Sequence, residues 1–313
     1  MGILARLSML CITVSLLSGV AAAATTVRVL SPPVFSVLPF YWMQQAGLPA
    51  GIQVDVELSP DHTRSLSLLE TGHCEFLVTG LNVGAKAYNK GIKLQLVNVN
   101  AWTLDYVVSR VPAPNGWRDL VGKKIALPLP GGPLDFLVPA QIVHEKLDLD
   151  KFNFVYAQTP QAIQFFNLGQ VDAVVIPEPA VTQLLAANAA ARLVIDIQED
   201  WGKWHNGDAV IPYVGLFVNS SWADKNPATS LAIANAYNQG IAWMNANPAA
   251  AAKLGAKVLN LPEAVVAQAL QRIKLDVPSP AELKRLVNMH LQEMLAYDSV
   301  LVGGKLPAAS FFR

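Results

Sequence analysis

The sequence predicts an α/β protein of two lobes, each a mainly parallel sheet flanked by helices, followed by a helical C-terminal region. Short β-branched runs alternate with longer helical patterns, which is typical of a parallel sheet wrapped by helices. Two extended segments, near 105–111 and 213–218, separate two units of similar strand and helix order. A chain of 313 residues also exceeds the size that a single core supports, so two lobes are expected.

The first unit alternates strands and helices in regular order. Gly72 follows a helical pattern as a C-cap and leads back into a strand, and Asn89-Lys90-Gly91 ends a later helix in the same way. The predicted strands are 27–30, 53–58, 75–79 and 94–99, and the predicted helices are 38–46, 63–70 and 83–88.

A second unit of the same type follows the break at Pro112-Ala113-Pro114-Asn115-Gly116. Its predicted strands are 124–127, 152–156, 171–176 and 193–196, and its predicted helices are 135–147, 160–168 and 180–188. The last hundred residues are predicted to be almost wholly helical. The domain prediction is therefore a signal peptide at 1–24, lobe 1 at 25–107 plus 212–313, and lobe 2 at 108–211.

The N-terminus has the pattern of a cleavable signal peptide. Arg6 precedes an apolar run from Leu7 to Val20, and the four alanines at 21–24 suit cleavage by signal peptidase. The run is about 14 residues long, whereas about 20 are needed to span a bilayer. We therefore expect export to the periplasm without stable membrane insertion.

Charge and cysteine content exclude several classes of partner. Removing residues 1–24 removes one charged residue, Arg6, which leaves 22 basic and 23 acidic residues. Such a chain has no basic excess for binding nucleic acid. Cys74 is the one cysteine beyond the signal peptide, so an internal disulfide is excluded.

Five motifs in order resemble a known group of binding proteins. They are residues 65–76 (SLSLLETGHCEF), 78–80 (VTG), 119–126 (DLVGKKIA), 167–173 (NLGQVDA) and 177–179 (PEP). In this order the chain resembles the type II periplasmic binding proteins that serve nitrate, sulfonate, taurine and thiamine-pyrimidine ABC importers. The resemblance implies a two-lobed type II fold that binds a small molecule between its lobes. It also implies an ABC permease and its ATPase as partners, a monomer, and no cofactor.

The same resemblance implies that ligands touch loops at the carboxyl ends of strands. Three such loops follow the first and third strands of lobe 1 and the first strand of lobe 2. The last of them opens a helix, where free amides could hold an anion, although its two prolines have no N–H to donate. The predicted contacts in these loops are Ser31, Phe35, Ser36, Thr79, Gly80, Asn82, Gly131, Gly132 and Asp135.

Side chains outside these loops complete the predicted site. Trp102, Trp201 and Trp204 are candidates for stacking on a flat ligand, and the last two fall in a stretch predicted to be irregular. Arg64 is the best cation for an anionic ligand, and its other role is a solvated residue in the first turn of a helix. Glu178 either pairs with an N–H group of the ligand or caps the next helix. The predicted ligand is an aromatic, heterocyclic or sulfonate-like organic molecule.

Enzymatic alternatives have weaker support in the sequence. A pyrimidine-making enzyme shares this fold but carries a cysteine-rich motif, whereas Cys74 stands alone here. The five histidines lack metal-ligand spacing, and no nucleophile motif is present. A dehydratase-like cleft enzyme using Glu178 and His205, or a ligand-sensing module, remains the alternative to transport.

Overall fold

The computed structural model describes residues 24–128, 130–207 and 209–313. The predicted signal peptide lies outside these ranges except for Ala24. The strands in chain order are β1 (Thr25–Ser31), β2 (Ile52–Leu58), β3 (Phe76–Gly80), β4 (Leu94–Thr103), β5 (Asp105–Ser109), β6 (Lys124–Leu127), β7 (Asn153–Tyr156), β8 (Ala173–Pro177), β9 (Arg192–Asp196), β10 (Val214–Asn219) and β11 (Lys274–Leu275). The helices are α1 (Leu38–Ala46), α2 (His62–Glu70), α3 (Leu81–Asn89), α4 (Leu134–His144), α5 (Thr159–Asn167), α6 (Ala180–Ala187), α7 (Ile197–Trp204), α8 (Ser220–Lys225), α9 (Pro227–Ala246), α10 (Pro248–Leu259), α11 (Glu263–Leu270) and α12 (Pro280–Tyr297).

Two separate sheets divide the described chain, as the sequence pattern predicts. The first has the order β11-β4-β10-β3-β1-β2 and the second the order β7-β6-β8-β5-β9. We call lobe 1 the first sheet with α1–α3 and α8–α11, and lobe 2 the second sheet with α4–α7. The predicted α/β fold class is confirmed, and both sheets are mixed.

The mixed character of the sheets comes from the two segments that pass between the lobes. In lobe 1, β1 pairs in parallel with β2 and β3, while β10 runs antiparallel to β3 and β4. In lobe 2, β6 pairs in parallel with β7 and β8, while β5 runs antiparallel to β8 and β9. The outgoing crossing joins β4 to β5, and the returning crossing leads into β10. The carboxyl ends of β1, β3, β6 and β8 therefore meet near both crossings.

Local sequence signals explain where the helices begin. The Asp61 side chain accepts a hydrogen bond from the Arg64 amide at the start of α2, and Ser279 caps α12 in the same way. Close packing then fixes the helices on the sheet. A Cβ at Gly84 of α3 would lie 2.1 Å from the Phe217 ring of β10, so only glycine fits this contact.

Helix α12 contacts both lobes. Its His290 and Tyr297 rings pack on Phe136 of α4 with centroid distances of 5.8 and 5.5 Å. The 3-10 turn after α12 then packs on α3 of lobe 1, where the Asn89 side chain donates to the Val302 carbonyl. The C-terminal region thus bridges the two sheets on one side.

One stretch differs from the sequence prediction. Residues 201–206 were predicted to be irregular, but 201–204 form the second half of α7. The prediction was wrong because it overlooked the cap, in which the Asp196 carboxylate accepts hydrogen bonds from the amides of Gln198 and Glu199. Among the described residues, no helix combines the length and apolarity that a membrane crossing requires.

Candidate functional site

A cleft between the two lobes is the candidate ligand site. Its volume is about 430 Å³, and its wall includes both crossings, the loops after β1, β3, β6 and β8, and the loop after α10. Ligand sites in open α/β folds lie at such strand ends.

A second cavity of about 580 Å³ lies on lobe 1, between the end of α3 and the C-terminal tail. Of these two cavities in the described part of the chain, the cleft is the one formed by both lobes.

Proline is the most frequent residue type in the described cleft wall. A proline has no N–H, so such a wall offers few backbone donors to an anion. No lysine or arginine occurs among the described residues that line the cleft. The lining prolines are Pro32, Pro33, Pro60, Pro128, Pro133, Pro160, Pro177 and Pro179.

On the lobe 1 side, His62 and Thr79 form a polar pair. The His62 Nδ1 and the Thr79 Oγ1 lie 2.7 Å apart, at hydrogen-bond distance. Burial lowers the pKa of His62, against the opposing effect of the Asp61 carboxylate. The imidazole is therefore neutral at pH 7 and adds no positive charge to the cleft.

Asp105 lies on the outgoing crossing and lines the cleft with 5% exposure. Its amide donates to the Gln198 Oε1 at 3.3 Å, which fixes the backbone. Its carboxylate receives no hydrogen bond from any residue in the described ranges. Burial raises its pKa to about 7. Asp105 thus presents a free acceptor to the cavity.

Tyr213 lies on the returning crossing, lines the same cleft and is 1% exposed. Its amide donates to the Ala101 carbonyl at 3.1 Å, and its carbonyl accepts from the Leu81 amide at 2.9 Å. The backbone is therefore held on both sides. Its buried hydroxyl has no hydrogen-bond partner in the part of the chain that the structure describes.

Glu178 lines the cleft from the lobe 2 side, and its carboxylate oxygens already accept hydrogen bonds from other residues of the protein. The carboxylate accepts from the Thr182 amide at 3.1 Å and the Thr182 hydroxyl at 2.9 Å, and from the Arg272 Nη1 at 3.1 Å. Burial raises the pKa of Glu178, while the bonds from Thr182 and Arg272 oppose that rise. Glu178 therefore caps α6 and joins it to the segment after α11.

Three of the residues predicted from sequence line the cleft: Thr79, Gly80 and Glu178. At Gly80 a Cβ would lie 3.3 Å from the Pro133 Cγ of the other lobe. Glycine therefore lets the two walls approach at this point.

The predicted residues near β1 and α2 lie elsewhere. Ser31, Phe35 and Ser36 are buried beneath the loop whose Pro32, Pro33 and Val34 face the cleft. Arg64 is exposed in the first turn of α2 and pairs with Glu57 at 2.7 Å. Neither group of side chains is part of the described cleft wall.

The loop before α4 has few free donors for an anion. The Gly131 amide donates to the Asp135 carboxylate, and the Asp135 amide donates to the Gly132 carbonyl at 3.2 Å. From lobe 1, the Asn82 side chain donates to the Gly131 carbonyl at 3.0 Å. These bonds hold the loop against lobe 1, and its Pro128, Pro133 and Leu134 face the cleft.

Of the three predicted tryptophans, Trp102 and Trp201 are buried and Trp204 is half-buried. The Trp102 indole N–H donates to the Asp276 carbonyl at 2.9 Å, and Trp102 is 2% exposed. Trp201 stacks on His205 with a centroid distance of 3.9 Å, and Trp204 packs edge-on against Trp201. None of these rings lies on the described cleft wall.

Sequence reasoning did not select Asp105 and Tyr213 as site residues. A signal for Asp105 was present, since it is a lone acid at the start of a buried apolar strand on a predicted crossing. Tyr213 begins the other predicted crossing. Their position on the two segments that join the lobes could have indicated that both are site residues.

The fold is shared with solved binding proteins. The alkanesulfonate-binding protein SsuA from Xanthomonas axonopodis pv. citri, bound to MOPS, has 20% identity and a TM-score of 0.72, over 90% of this chain and 96% of that one. The aliphatic sulphonate binding protein SsuA from Escherichia coli has 19% identity and a TM-score of 0.71, over 91% and 96%. The nitrate-binding protein NrtA from Synechocystis PCC 6803 has 13% identity and a TM-score of 0.70, over 92% and 83%.

At these identities the likeness establishes the type II periplasmic binding protein fold predicted from the sequence. No curated protein matches the chain in sequence. The family model described as NMT1/THI5 like matches residues 36–251, which include most of lobe 1 and all of lobe 2. The chain therefore belongs to the NMT1/THI5-like family.

Proposed function

We propose that this protein is the solute-binding component of an ABC-type importer and holds a small organic molecule in the cleft. The observation that carries the proposal is the cleft itself, whose wall combines strand ends of both sheets with both crossings. A ligand in that position contacts both lobes at once. Such contacts favour a closed arrangement that a permease can distinguish from the empty one.

Relatives and sequence support the remaining parts of this role. The Xanthomonas and Escherichia coli proteins of this fold bind sulfonates, and the Synechocystis protein binds nitrate. The N-terminal pattern supports export to the periplasm, where the protein would act as a monomer that meets a permease and its ATPase.

The chemistry of the cleft favours an organic ligand without a strong negative charge. A sulfonate or nitrate would lose its hydration and find no lysine or arginine among the described lining residues. The proline-rich wall supplies apolar surface, and Thr79, Gln158 and Gln183 supply polar contacts. A small heterocyclic or aromatic solute fits this balance.

A titration panel tests the proposal. Isothermal titration calorimetry of the mature protein with pyrimidines, aryl acids, alkanesulfonates and nitrate should give the tightest binding for an uncharged or cationic organic solute. Tightest binding to nitrate or to an alkanesulfonate would contradict the proposed ligand class. Native mass spectrometry of the protein as purified would identify any retained solute.

We also propose that the protein binds its solute without transforming it. His205 lies 3.1 Å from the Glu293 carboxylate and stacks on Trp201, whereas Glu178 is bonded to Thr182 and Arg272. The two residues considered for acid–base catalysis therefore belong to different contacts. Incubation of the identified solute with the protein should leave its mass unchanged.

A further inference from the structure

We propose that Asp105 and Tyr213 together form the polar anchor of the cleft, and that they select a ligand with a basic, N–H-bearing group such as an amine or amidine. This inference rests on the proposed binding function and specifies its ligand class. Both side chains are more than nine-tenths buried, and both line the same cavity. The Tyr213 hydroxyl is fully enclosed without a hydrogen-bond partner among the residues that the structure describes, and none of those residues donates to the Asp105 carboxyl.

Unpartnered buried polar groups are costly, so they need an explanation. A carboxylate only accepts hydrogen bonds, and its complement is therefore an N–H or O–H donor. A tyrosine hydroxyl both donates and accepts. An amine or amidine that donates to Asp105 and to the Tyr213 oxygen would satisfy both groups at once.

The charges around the anchor favour a cation over a neutral donor. Tyr213 lies within the electrostatic reach of both Asp105 and Asp196. Glu178 lines the same cleft, and its partner Arg272 is the one guanidinium bonded to a described lining residue. His62 is held neutral by burial. Glu178 is thus balanced by Arg272, whereas the ionised form of Asp105 has no counter-ion among the described lining residues, and a cationic group would be drawn to it.

The position of the anchor gives it a second role. Asp105 lies where the outgoing crossing enters β5, and Tyr213 lies where the returning crossing enters β10. A group that bridges them ties together the two segments about which the lobes would move. Recognition of the basic group and closure of the lobes would then be one event.

Three probes with the same ring and different head groups test the anchor: benzamidine, benzyl alcohol and benzenesulfonate. Calorimetry on the mature protein should give benzamidine at least a tenfold tighter Kd than benzenesulfonate. The D105N variant should lose at least tenfold in benzamidine affinity, and Y213F should lose two- to fivefold. Equal or tighter binding of benzenesulfonate, unchanged benzamidine affinity in D105N, or no binding of benzamidine would overturn the inference.

Matched control variants separate the anchor from general damage. E75Q alters a buried carboxylate that is paired with Arg28 in lobe 1, and Y237F alters a buried tyrosine that donates to the Ser36 carbonyl. Both controls should lower the melting temperature and leave benzamidine affinity unchanged. A retained solute with no N–H group would contradict the anchor while leaving the proposed binding function intact. Failure of every solute and probe to bind would contradict both.

Discussion

At the scale of single residues, the Asp105 carboxyl should destabilise the empty protein. Burial raises its pKa from 3.8 to about 7, so the folded state binds a proton that the unfolded state releases above pH 3.8. The bound proton favours the folded state fully below pH 3.8, and this advantage is lost as the pH rises to 7. The free energy of unfolding changes by about 4 kcal/mol over that range. The D105N variant should therefore gain about 1–3 kcal/mol in unfolding free energy at pH 8.

Urea denaturation of the wild type and D105N at pH 4, 6 and 8 measures this effect. The advantage of the variant should grow with pH and level off above pH 7. An advantage independent of pH would mean that the carboxyl is hydrated in the empty protein. A stabilising substitution that also weakens binding would identify Asp105 as a residue kept for function.

A second residue should make the fold sensitive to acid. His290 of α12 is buried against Phe136 and Trp201, and burial together with nearby His205 lowers its pKa from 6.5 to about 3. A base whose pKa is lowered by folding destabilises the folded protein once the pH falls below the pKa that the base has in the unfolded chain. Between pH 6.5 and 5 this group should remove about 2 kcal/mol.

The H290L variant removes the titrating group and keeps an apolar side chain. Its unfolding free energy should fall less than that of the wild type between pH 7 and 4.5, as measured by guanidinium titration at each pH. The H73Q variant serves as a control, because His73 is an exposed surface residue. Equal losses in wild type and H290L would show that His290 is protonated in the folded state.

At the scale of elements, the ion pair of Glu178 and Arg272 connects α6 of lobe 2 to the segment after α11. Glu178 is fully buried, and its partner is 26% exposed. Replacing Arg272 by Met leaves a buried carboxylate without its counter-ion, which should cost about 2–3 kcal/mol in unfolding free energy. The E178Q/R272M double variant should recover part of that loss, as measured by urea denaturation. A double variant no more stable than R272M would contradict this account.

Most of the helices and strands could be predicted from the sequence. The sequence predicted β6 and α1 with the bounds that the structure has, because the turn at Gly122 before β6 and the residues Pro39 and Gly47 at the ends of α1 are local signals. Helix α7 was missed since its tryptophans and glycine lower its helical propensity, and the cap at Asp196 compensates.

At the scale of the whole molecule, the two-lobed α/β fold was predictable, and the contents of the cleft were predictable only in part. The loop positions of Thr79, Gly80 and Glu178 followed from the rule that ligands meet strand ends. The indole rings of Trp102 and Trp201 gave no local sign that they would be buried, because Asp276 and His290, against which they are buried, lie far away in sequence. The meeting of Asp105 and Tyr213 at one cavity depends on how two distant crossings are arranged, which no local pattern encodes.

The eight prolines of the cleft wall have a consequence for how tightly a solute can be held. Each proline ring fixes its own φ, so these parts of the wall have little backbone freedom left to lose when a solute enters. Less of the gross interaction energy is then spent on ordering the protein. A rigid wall should also discriminate between solutes by their width. A single methyl group added to a well-fitting solute should clash with the wall and weaken binding.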